Sequence, residues 1–143
     1  MLTFFGSLGA AVCMGIAAIG SAIGIGIAGQ GAVGAWKRCY INNKPAPFIL
    51  TVFAGAPLTQ TIYGYLAMFL KLKTLGANDP GAALGLGLAS GLAMCFSAIA
   101  QGKAGAAASD AFGETGKGFT NYLMVVGLCE SVALFAMAFT LIA

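Results

Sequence analysis

Four stretches without a charged side chain divide this sequence: Met1 to Trp36, Pro45 to Leu70, Pro80 to Gly102, and Gly118 to Ala143, the last interrupted only by Glu130. Each reaches or exceeds the roughly 20 residues a helix needs to cross a bilayer core of about 30 Å. In hydrocarbon every backbone N–H and C=O must be paired within the protein, which leaves only helices or a closed barrel. A barrel is built from alternating segments of about 10 residues, and these stretches are longer and apolar throughout. The expectation is an all-α membrane protein of four transmembrane helices, a single membrane domain over residues 1–143. The connecting segments are too short to hold a core of their own.

Composition excludes several functional classes. Only 8% of residues are charged and 59% are hydrophobic, against about 25% charged in soluble domains. The net charge of +3 is spread among loops rather than gathered on one soluble surface, so no nucleic-acid partner is expected. Cys13, Cys95 and Cys129 fall inside spans and Cys39 in a loop; with no CxxC pair and no histidine, neither structural disulfides nor a transition-metal site is expected. The first stretch has no basic residue before its apolar run and continues past the usual cleavage length, so it reads as a helix kept in the mature chain. Lys37, Arg38, Lys44, Lys103 and Lys117 lie on one side of the membrane, Lys71 and Lys73 on the other. Because basic loops stay cytoplasmic, both termini are expected to be extracytoplasmic in a multi-pass cell-membrane protein.

The halves read as copies of one hairpin, residues 1–75 and 76–143. Ser21-Ala-Ile-Gly-Ile-Gly-Ile aligns with Ser97-Ala-Ile-Ala-Gln-Gly-Lys, and Pro57-Leu-Thr-Gln-Thr with Gly127-Leu-Cys-Glu-Ser. Gln60 then occupies the position of Glu130, and Ile25 that of Gln101. The first hairpin lacks the titratable group, so one ion site per four helices is implied. Both copies start and end outside, so the repeats are parallel, unlike the inverted repeats of many secondary transporters.

Glycine and alanine crowd the first and third helices, with GxxxG spacing at Gly20/Gly24, Gly81/Gly85 and Gly87/Gly91. Small residues let membrane helices approach closely, which suits these two helices to an inner layer. Phe48, Phe53, Tyr63, Phe69, Phe135 and Phe139 suit an outer, partly lipid-facing one. Such a wedge repeated around an axis closes a ring; the same glycines also serve a monomeric four-helix bundle.

A carboxylate at membrane depth costs about 2.5 to 3.5 kcal/mol on insertion scales and marks a functional site by default. Something must neutralise Glu130. Thr59, Gln60, Gln101 and Ser131 also lie inside their spans, and their oxygens suit a hard cation rather than a soft metal. Pro57 leaves a carbonyl one turn earlier without its usual donor. A protonated glutamic acid would need only one or two hydrogen bonds, so this many oxygens lean towards Na⁺, with H⁺ as the alternative. Against these readings stand plainer ones: Gln101 as a helix-to-helix hydrogen bond worth about 0.6 kcal/mol, and Thr59 back-bonded to its own helix. Tyr63, one turn from Gln60, is either an outer-face aromatic or a donor to the carboxylate. Ser131 is an alternative hydroxyl ligand. Lys103 is read as reaching the interface by snorkelling.

Pro57-Leu-Thr-Gln-Thr-Ile-Tyr-Gly, Ala100-Gln-Gly-Lys-Ala and the embedded Glu130 resemble the proteolipid, or K subunit, of bacterial sodium-translocating V-type ATPases, over essentially the whole chain. The resemblance implies a homo-oligomeric rotor ring in membrane lipid, working against a membrane stator and turned by a central stalk. It implies a sodium site made by the side chains of Thr59, Gln60, Gln101 and Glu130 with a backbone carbonyl at Ala56, Tyr63 bonding the glutamate. On its own the chain would be no enzyme, but the ion-carrying part of one. The same ring carrying protons is the alternative reading, and a small multidrug exporter a remote one, since there the glutamate would sit in the first helix.

Overall fold

The computed structural model describes residues 2–143, with side chains from Phe4 onward; Met1, which opens the first charge-free stretch, lies outside the described residues. Four rods follow one another: α1 (Leu2–Ile41), α2 (residues 50–78), α3 (Pro80–Thr115) and α4 (Phe119–Ile142). No strand occurs among the described residues. Three helices, Phe4–Ile41, Pro80–Thr115 and Phe119–Ile142, are continuous and long and apolar enough to cross a membrane.

The second rod is not a single α-helix. It joins Leu50–Gly55, a 3-10 turn at Ala56–Leu58, Thr59–Ala67, a π turn at Met68–Leu72 and Lys73–Asn78, with right-handed helical angles at Ala56, Thr59, Met68 and Lys73. Pro57 explains the first irregularity, because its ring and missing N–H break the regular ladder. The neighbours are shaped to accept it. A Cβ on Gly24 of α1 would lie 2.8 Å from the Pro57 ring, and one on Gly105 of α3 would lie 2.7 Å from the Phe53 carbonyl oxygen.

The hinge between the hairpins is short. Asp79 ends α2 and caps α3, its Oδ1 accepting from the Ala82 N–H at 3.0 Å, with Pro80 in the first turn, where a missing N–H costs nothing. Gly116 and Gly118 take left-handed angles at φ +65° and +84°, so α3 turns into α4 within three residues.

Helices α1 and α3 run parallel and pack along their whole length. Gly31 faces Ala106 and Gly113 faces Ala35, so closely that an added Cβ would approach the neighbour to 2.6 and 2.7 Å. This pair forms one layer. The other is α2 with α4, also parallel, joined by Phe53 to Phe119 at 5.2 Å between ring centres and by Tyr63 to Glu130. Phe53 is fully buried, against the expectation that it faces lipid, because it packs into the cluster of Ala32, Leu50, Ala108 and Val126 and against the Phe119 ring. Phe48, Phe69, Phe135 and Phe139 are exposed.

The third helix also outruns its charge-free stretch, which ends at Gly102, by about three and a half turns. Ala104, Ala106, Ala107 and Ala108 are strong helix formers, and the charges of Lys103, Asp110 and Glu114 lie on its exposed side. At 1.5 Å per residue, 40 residues in α1 and 36 in α3 reach about 60 and 54 Å, well past a 30 Å core.

Candidate functional site

The polar side chains of three rods meet at one level, half-way along the layer contact. Gln60 (α2) and Gln101 (α3) are both completely buried. Burying an amide without partners costs about 1 to 3 kcal/mol, and each amide here is fully engaged. Gln60 Nε2 donates to Gln101 Oε1 at 2.8 Å and reaches Ser97 Oγ at 3.3 Å. Gln101 Nε2 donates to Glu130 Oε2 and to the Val126 carbonyl, both at 3.1 Å. The other carboxylate oxygen, Oε1, accepts from the Tyr63 hydroxyl. Glu130 is half-buried, and each of its oxygens has a donor.

A second arm starts at the distorted turn. Thr59 Oγ1 lies 3.0 Å from the Ala56 carbonyl, to which it donates, and 3.3 Å from Gln60 Oε1. The same Ala56 carbonyl accepts the Thr59 N–H, so the 3-10 turn pulls this oxygen towards the site. The Thr61 N–H also lies within hydrogen-bond reach of Ser21 Oγ on α1, at 3.2 Å. A continuous chain of oxygens and amides thus runs Ala56, Thr59, Gln60, Gln101, Glu130, Tyr63.

Ser131 does not join it. Its hydroxyl turns back onto the Leu128 carbonyl of its own helix at 2.7 Å. Sequence reasoning misses Ser97, yet it bridges Gln60 and the Cys129 carbonyl, the latter at 2.7 Å. The available signal is its position one turn before Gln101 on the same face of α3. Lys103 points away from Glu130 and is exposed.

Chemically the site offers one anion, two amide oxygens, a hydroxyl and a backbone carbonyl, with no group of three His, Cys, Asp or Glu side chains among the described residues. That set suits a monovalent hard cation, whose single charge one carboxylate balances. Both carboxylate oxygens of Glu130 accept hydrogen bonds, Oε1 from the Tyr63 hydroxyl and Oε2 from the Gln101 amide.

Comparison with known proteins gives two likenesses. Residues 84–143, which contain Gln101 and Glu130, match the family model of the ATP synthase C subunit. The chain is also 35% identical over 133 residues to the K subunit of the A-type ATP synthase of Methanocaldococcus jannaschii, an alignment covering 92% of this chain and 58% of that protein. The chain therefore spans a little over half the length of the curated relative it matches.

Proposed function

We propose that the chain belongs to the family of these proteolipids and forms the rotor ring of a membrane rotary ATPase, carrying one Na⁺ per four helices on Glu130. The observation that carries the reading is the single carboxylate at membrane depth, held between the Tyr63 hydroxyl and the Gln101 amide and continuous with Gln60, Thr59 and the Ala56 carbonyl. In this reading the hairpins are duplicates, the first having kept Gln60 where the second has Glu130. Both termini are extracytoplasmic, and the basic ends of α1 and α3 meet the central stalk.

The residues divide the work. Glu130 supplies the charge that an entering Na⁺ neutralises, so the loaded site passes lipid without the cost of a bare anion. Gln60 and Gln101 replace hydration water with amide oxygens once Gln60 Nε2 turns from Gln101 Oε1, and Thr59 and the Ala56 carbonyl complete the shell. Tyr63 holds the carboxylate against the bundle while the site faces lipid. Discharge requires a positive group on a stator to compensate the empty carboxylate, which couples ion release to rotation. One site per four helices moves few ions per turn. Since each elementary charge costs about 2.3 kcal/mol per 100 mV, such a ring works against steep gradients, which favours ATP-driven pumping over synthesis.

The test is carbodiimide labelling of Glu130 in the detergent-solubilised protein across a sodium titration at several fixed pH values. Sodium that suppresses labelling in competition with protons supports the reading. Labelling that follows pH alone makes the ring a proton carrier and returns Thr59, Gln60 and Gln101 to packing roles.

A further inference from the structure

We infer that Ser97 is a positioning residue of the ion site: its hydroxyl decides which end of the Gln60 amide faces the ion and keeps hold of that amide when sodium enters. The inference rests on the sodium reading above and adds to it a residue bonded to neither oxygen of Glu130.

A glutamine side chain carries an oxygen at one end and an NH2 at the other, so similar in size that packing alone does not choose between them. Partners of a single kind do choose. A backbone carbonyl only accepts, and two carbonyls of α4, three residues apart, face α3. The Val126 carbonyl takes a hydrogen from Gln101 Nε2 at 3.1 Å, and the Cys129 carbonyl takes the Ser97 proton at 2.7 Å. Ser97 and Gln101 stand four residues apart and so share one face of α3. The first contact leaves Gln101 Oε1 pointing back to Gln60. The second uses the only proton that Ser97 has, so its oxygen can do nothing but accept. Gln60 must therefore meet Ser97 with Nε2, at 3.3 Å, which leaves Gln60 Oε1 beside Thr59 Oγ1, also at 3.3 Å.

Another serine of the same helix shows that this arrangement is not imposed by the fold. Ser90, seven residues earlier and also buried, gives its proton to the Leu86 carbonyl of its own helix at 2.6 Å, the usual habit of a helical serine. Ser97 gives its proton to a different helix instead and turns its lone pairs to a glutamine from a third.

The consequence falls on the loaded site. Gln60 Nε2 has two hydrogens, one on Gln101 Oε1 and one on Ser97 Oγ. The first bond has to be given up before Gln101 Oε1 is free for an ion. Ser97 then still holds the amide, with Gln60 Oε1 on the side of Thr59 and the Ala56 carbonyl. A cation on Oε1 also draws electron density from the amide and strengthens its remaining N–H bond, as linked hydrogen bonds polarise one another. Loss of the hydroxyl therefore costs the sodium-loaded form more than the empty or protonated one, in which Gln101 also fixes the amide.

The experiment measures carbodiimide labelling of Glu130 on protein whose oligomer mass matches the wild type. Ser97→Ala should raise the half-protecting sodium concentration about fivefold, the difference between a charge-assisted and an ordinary hydrogen bond, while the pH dependence of labelling in sodium-free buffer stays as in the wild type. Ser97→Cys, whose thiol is a weak acceptor, should do the same and carries the test if S97A does not assemble. Ser90→Ala, which also removes a buried hydroxyl, should leave both readings unchanged. Half-protection within twofold of the wild type in the Ser97 variants overturns the inference. So does an equal shift in S90A, a sodium-free pH profile that moves together with the sodium response, or failure of both Ser97 variants to assemble, each of which makes Ser97 a packing residue. In all these cases the sodium reading stands; wild-type labelling that ignores sodium overturns that reading itself.

Discussion

Replacing Gln101 by leucine, of similar size, removes one side chain that does three things. It deletes the 3.1 Å bond from Nε2 to Glu130 Oε2, the acceptor for Gln60 Nε2 at 2.8 Å, and the bond to the Val126 carbonyl. The quantity to consider is exchange of sodium against a proton on the same carboxylate. The sodium-loaded and ionised forms both depend on a bond to a charged group, worth about 1.5 to 3 kcal/mol, whereas the protonated acid loses only an ordinary hydrogen bond of about 1 kcal/mol. Taking the ion's lost amide oxygen with this difference, exchange shifts towards the proton by about 2 kcal/mol, or about thirtyfold. The assay is the sodium concentration that halves carbodiimide labelling of Glu130 at fixed pH, measured on protein whose oligomer mass matches the wild type. A half-protecting concentration that rises by tenfold or more is expected. If Q101L assembles normally and its half-protecting concentration stays within twofold, Gln101 is a packing residue and the ion-site argument is wrong.

Other variants probe neighbouring steps. Tyr63→Phe removes only the hydroxyl that donates to Glu130; carbodiimide should then label Glu130 several-fold faster without sodium, and half-protection should need about tenfold more sodium. Glu130→Gln should abolish labelling and ion flux in reconstituted vesicles while the oligomer persists, and residual sodium-dependent flux would remove Glu130 from the carrier role. Gly105→Ala would set a Cβ 2.7 Å from the Phe53 carbonyl, an overpacking cost of about 1 to 3 kcal/mol, seen as a lower thermal midpoint. Gly127→Ala, where nothing lies within 4 Å, serves as its comparison and should be neutral or slightly stabilising.

Much of the site was legible because of the solvent the sequence implies. An isolated carboxylate at Glu130 stands out only against uncharged surroundings, and Gln101 and Gln60 stand out for the same reason. Ser97 did not, since a serine in a membrane helix is usually content to bond its own backbone, and only its neighbours decide otherwise. Phe53 shows the converse failure. Its residue type suits lipid as well as a core, and the neighbours it meets on α1, α3 and α4 decided between them.

Charge-free length by itself pointed to four helical rods and singled out one carboxylate among them, because a bilayer leaves backbone and charge few ways of being satisfied. The tertiary structure alone decided which oxygens share a level and where the helices end. It also decided which glycines are consumed inside the bundle and which remain open on its edge. Those outcomes depend on rotation and register between helices separated in sequence, set by backbone-to-backbone contacts such as Gly31 on Ala106 that no local pattern of residues encodes.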